Sequence, residues 1–212
     1  MYPTDLDDQS SASPVLNRRQ LVQCAGSVLL IAGLPAARAM SDSSPTRASP
    51  VFLIDRRFSQ AAAFSGECAR RGLQVISMQG DVTTVWMTDL ELRWRKQPGV
   101  LAGVTGAATL ACLEILANRE RMRVVFRSES RSCAQGLVEH RVHAAPALLH
   151  EAHRSLSGSD WVDGLVSMMS GCSSDPMTGQ LTVRGPASLA QERADEPLIA
   201  WVIAPLSGGG AR

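Results

Sequence analysis

Lysine is almost missing from this sequence: Lys96 stands alone among 21 basic residues, all the others being arginine. That bias reports base composition more than chemistry and carries no functional weight. Charge of either sign is scarce too, at 19% of 212 residues with a formal net charge of +1. A protein that grips nucleic acid through a basic groove needs a cationic surplus, so no nucleic-acid partner is expected. The 45% hydrophobic content supplies a core and excludes wholesale disorder. No internal repeat is visible, and no run reaches the roughly 20 predominantly apolar residues that a permanent membrane anchor needs.

Several catalytic signatures are also missing. There is no G-x-x-x-x-G-K-[ST] phosphate loop, and "GVTGAA" (103–108) lacks the G-x-G-x-x-G spacing of a dinucleotide loop. Neither a G-x-S-x-G nucleophile elbow nor a C-x-x-C redox pair occurs. Nucleotide binding and the commonest covalent hydrolase plan are therefore disfavoured, and no cofactor is assigned.

What is present begins with a three-part leader. A polar start from Met1 to Asn17 is followed by Arg18-Arg19, then by an apolar run from Leu21 to Leu34 that Gln23, Gly26 and Gly33 interrupt. Pro35 ends the run, and Ala37-Arg38-Ala39 offers small residues at a cleavage-like site. The stretch "NRRQLVQ" with its mild apolar run and "ARA" resembles a bacterial twin-arginine (Tat) signal peptide over residues 1–39. It departs from the family pattern where Asn17 replaces the usual Ser or Thr, Leu21 the common Phe and Gln23 the common Lys. The resemblance implies an export signal carried by Arg18 and Arg19, the Tat machinery as a partner, a periplasmic destination, and a passenger that folds before it crosses. Such passengers often carry a cofactor or travel with a partner that does. Cys24 precedes most of the apolar run, so it does not read as a lipidation site.

Residues 40–50 form a Ser/Pro-rich linker, and 206–212 read as a flexible tail. Between them, residues 51–205 are expected to form a single α/β domain. Short apolar runs ("VFLID", "LQVISMQ", "VLAGVT", "VVFRSE") alternate with helix-length segments, the pattern of strands covered by crossover helices. Helix stripes fall on Ala61, Phe64, Cys68 and Ala69, and on Leu110, Leu113, Ile115, Leu116 and Met122. Residues 81–97 are ambiguous, since "DLELRWR" alternates like a strand, but Asp81 as N-cap and the stripe Val82, Val85, Trp86 and Leu90 favour a helix. Further on, 127–136 read as a polar loop, 137–144 as a strand, and "PALLHEAHRSL" and "SDWVDGLVSMMS" as two short helices. "LTVRG" and "LIAWVIAP" are expected to pair as a hairpin at the sheet edge. The expected architecture is a three-layer, Rossmann-like or flavodoxin-like, mainly parallel sheet with an irregular C-terminal part.

In such sheets ligands sit beyond the carboxyl ends of the strands, which nominates Asp55, Arg56, Asp81, Thr105 and Glu129, with Arg57 and Gly106 beside them. The plainer reading makes these residues turn formers and caps. All four histidines, His140, His143, His150 and His153, fall within fourteen residues, and a zinc ion takes about four such ligands. Two arguments oppose a shared ion: "HEAH" is one residue short of H-E-x-x-H, and a strand at 137–144 would point His140 and His143 to opposite faces. In an oxidising compartment Cys133 and Cys172 are the better disulfide pair, since Cys68 and Cys112 belong to helices on opposite faces. Trp86, Trp94, Trp161 and Trp201 read as core residues. The functional expectation is a non-catalytic exported module that binds a small ligand or serves a periplasmic protein partner such as a redox enzyme. The alternative is a small hydrolase using a metal or the crevice.

Overall fold

The computed structural model describes residues 49–187 and 196–206. The leader, Arg18 and Arg19, most of the linker and the tail beyond Leu206 lie outside the described residues.

Seven strands form one sheet in the order β2-β1-β3-β7-β4-β5-β6. The strands are β1 (Val51–Asp55), β2 (Val75–Met78), β3 (Leu101–Thr105), β4 (Met122–Cys133), β5 (Leu137–Ala144), β6 (Gly179–Pro186) and β7 (Leu198–Pro205). Only β2, β1 and β3 pair in parallel; every later pairing is antiparallel. The protein is thus α/β with a mixed sheet, and the expectation of a mainly parallel one is corrected. Once β4 turns straight back into β5, no crossover helix separates them, so the pair must run antiparallel.

Helices cover both faces. On one lie α1 (Ala61–Arg70), α5 (Pro146–Leu156) and α6 (Trp161–Gly171). On the other lie α4 (Ala107–Arg119) and a helical segment made of α2 (Val82–Val85), a π-helical stretch (Trp86–Leu90) and α3 (Glu91–Lys96). Covered twice, β3 and almost all of β7 are buried along their length, which is why both read as unbroken apolar runs. Local chemistry sets the helix ends. Gly72, at φ +66°, follows α1, the Asp81 carboxylate accepts from Thr83 N at 2.8 Å to start α2, and Pro146 opens α5. Gly103 is required on β3 because a Cβ there would lie 2.2 Å from the indole of Trp201 on β7.

Other expectations need correction. Residues 127–133 belong to β4, and the turn to β5 occupies Ala134–Gly136, where Gln135 and Gly136 take positive φ. Serines at alternate positions, Ser128 and Ser130, face the core there, a pattern the polar composition conceals. The expected edge hairpin does not form, because β6 is the edge and β7 is the centre of the sheet. Ile115 of α4 is exposed, and Met122 already belongs to β4.

No disulfide joins the described cysteines. Cys133 lies ten residues beyond Arg123 along β4, about 33 Å at roughly 3.3 Å per residue. Cys172 lies at the other end of that strand, two residues before Ser174, whose carbonyl accepts from Arg123 Nη2 at 3.0 Å. The pair is therefore far outside the Cα separation of a disulfide, about 4.4–6.8 Å.

Candidate functional site

Two places on the sheet gather polar chemistry. The first is the crevice where β1 and β3 end side by side. Asp55, the last residue of β1, is fully buried, and its carboxylate is held by Arg57 from the following turn. Oδ1 accepts from the Arg57 backbone N–H and from Nε, each at 3.1 Å, while Oδ2 accepts from Nε at 3.1 Å and from Nη2 at 2.7 Å. Gly80, at φ +83°, makes room for this fork, since a Cβ there would lie 2.9 Å from the Arg57 Cζ. The hydrogen bond and charge of Asp55, and then the charge of Glu196, push the Arg57 guanidinium further above its ordinary range, burial opposing them.

Next to it, Thr105 closes β3 and Gly106 leads into α4. The Thr105 hydroxyl accepts from Trp201 Nε1 at 2.9 Å and donates to the Gly106 carbonyl at 3.2 Å, so it serves the core. Above Gly106 sits Glu196, just ahead of β7. Its Oε1 accepts from Ala107 N at 3.0 Å, placing a carboxylate on the positive end of α4. The glycine lets it come this close, because a Cβ at position 106 would lie 2.3 Å from that oxygen and would push the carboxylate aside.

Of the residues nominated by position, Asp55 and Thr105 therefore share the crevice. Glu129 lies on the same face as Thr105 with Ile199 between them, and Arg131 engages it at 2.5 Å. Arg56 is exposed. Asp81 is a helix cap, its carboxyl held below the usual range chiefly by the Thr83 backbone N–H. Glu196 was missed, and no local signal could have found it: its place depends on β7 inserting beside β3.

The second place lies under α6. Ser130 on β4 and His140 on β5 are paired across the strands, with Oγ and Nδ1 2.8 Å apart and both residues sealed from solvent. The His140 ring packs on Trp161 of α6 with centroids 5.0 Å apart. Burial alone pushes its pKa down to about 4, so the imidazole is neutral near pH 7. The pair has the composition of a nucleophile and a base, but a substrate has no path to either atom, and the contact reads as structural.

The histidine cluster is corrected as a metal site. His140 is buried and His143, three residues on, faces the other side of β5, while His150 and His153 are exposed on α5. Among the described residues, no group of three or more His, Cys, Asp or Glu side chains is arranged to hold a metal ion. No described helix is long and apolar enough to cross a membrane.

Comparison with protein-family models, curated proteins and solved structures finds no match to this chain. The reading of function therefore rests on the chain's own chemistry.

Proposed function

We propose that this protein is an exported, non-catalytic binding module whose crevice at the ends of β1 and β3 takes a small molecule bearing a carboxylate or phosphate group. One observation carries the reading: the chain's own Glu196 carboxylate rests on the first amide of α4, within the field of Arg57. Asp55 holds Arg57, Gly106 lets a carboxylate approach the start of α4 closely, and the amides of that end favour negative charge. A ligand anion would take the place of Glu196.

Thermal unfolding of the protein and of Glu196→Gln in increasing phosphate, acetate and citrate tests this. The variant is expected to gain several degrees in Tm with at least one of these anions, at concentrations where the parent gains less. Equal shifts in the two proteins, or none in either, would remove the crevice from consideration.

Export is proposed on the leader. Replacing Arg18 and Arg19 together by Lys is expected to leave the protein in the cytoplasm, measured by cell fractionation; undiminished export would defeat the Tat reading. An accessory role beside a periplasmic partner draws its support from Met87, Leu92 and Ile115, large apolar side chains left 61–69% exposed on the α2–α4 layer.

A further inference from the structure

We propose that Ser128, His140 and Trp161 bind one ordered water molecule where β4 and β5 meet α6, making a buried hydration site part of the fold. In the described residues four buried side-chain nitrogen or oxygen atoms have no hydrogen-bond partner. Three of them belong to this one region: Ser128 Oγ, His140 Nε2 and Trp161 Nε1.

The strand registers place them together. Ser128 pairs with Val142 and Ser130 with His140, so both serines and His140 project from the same face, two residues apart along neighbouring strands. On that face Trp161 lies against His140. Ser128 also has Ala200 as its other cross-strand neighbour, so two small side chains stand side by side on that face.

The chemistry selects the occupant. Trp161 Nε1 can only donate, and Ser128 can donate or accept. His140 is neutral, with Nδ1 committed to Ser130, so Nε2 donates if the Ser130 hydroxyl donates to Nδ1 and accepts if the reverse holds. Water meets either case, since it carries two protons and two lone pairs and typically bonds about three buried groups. A metal ion is repelled by the indole N–H, and an anion would be sealed in with no described cation as partner, at prohibitive cost. Leaving three polar atoms dry and unpaired is also costly, because each loses its hydrogen bonds to water on burial and gains none in return.

The experiment is a crystal structure of the full chain at atomic resolution, together with a double-variant cycle. A density peak within hydrogen-bond distance of at least two of the three atoms is expected. Direct bonds among the three side chains, or dry van der Waals contact around them, would overturn the proposal. In urea unfolding, Ser128→Ala and Trp161→Phe are expected to be non-additive by about twofold or more in the unfolding equilibrium constant, because each removes a ligand of the same water. Strict additivity would count against it. Should Trp161→Phe fail to fold, the structure of Ser128→Ala decides, with loss or displacement of the peak expected and an unchanged peak contradicting Ser128 as a ligand.

Discussion

His140 shows how one side chain ties stability to acidity. Its folded pKa, about 4, lies below the ordinary value near 6.5, so the unfolded chain binds the extra proton first as pH falls. The stabilising contribution is complete above the unfolded value and is lost as pH falls from about 6.5 toward 4. In size it is on the order of 3 kcal/mol, since one pKa unit corresponds to about 1.4 kcal/mol. Urea midpoints measured from pH 7 to pH 4 are expected to fall more steeply for the parent than for His140→Gln. Parallel curves would mean that the ring is not buried in its neutral form. The neighbouring charges offer no rescue, because Glu139 and Arg141 flank His140 on β5 and alternate residues face the opposite side. Elsewhere, buried Cys68 has its thiol raised to about 11 by desolvation, which makes it an inert core residue.

At the scale of elements, periodicity revealed what it is able to reveal. The strands β1, β2 and β3 were legible as short apolar runs, and the helices α1, α4, α5 and α6 because each carries apolar residues at helical spacing. The segment from Val82 to Lys96 looked ambiguous for a physical reason: its π-helical turn at Trp86–Leu90 shifts the apolar stripe, bringing Leu90 and Trp94 inward and leaving Met87 and Leu92 outside. The second half of β4 was illegible because its buried positions are serines. The crevice was half legible. Asp55 and Thr105 follow from strand ends alone, whereas Glu196 needs the partner of β3 to be known. Helix packing gives a further check. A Cβ on Gly164 of α6 would approach Ser155 Cβ of α5 to 2.8 Å and its carbonyl oxygen to 3.0 Å, so the two helices meet through the missing side chain. Gly164→Ala is expected to cost about 1–3 kcal/mol in chemical denaturation, as overpacking does. An unchanged midpoint would show that α5 and α6 can part freely.

For the molecule as a whole, β7 decides whether there is one sheet or two. It pairs with β3 on one side and β4 on the other, and so joins the parallel strands to the antiparallel ones. Its inward residues feed both cores, Leu198, Ala200, Val202 and Ala204 on one face and Ile199, Trp201 and Ile203 on the other. A chain ending at residue 197 is therefore expected to lose cooperative unfolding and the tertiary signals of its tryptophans in near-UV circular dichroism. A native-like transition in that shortened chain would contradict the central place of β7.

The order of synthesis gives this arrangement a temporal consequence. The strand that closes the sheet leaves the ribosome after the six it unites, so throughout translation two apolar faces wait beside an unfilled slot. Until Leu198 to Pro205 emerges, the nascent chain offers chaperones a site to hold, and any competing extended segment a template to invade.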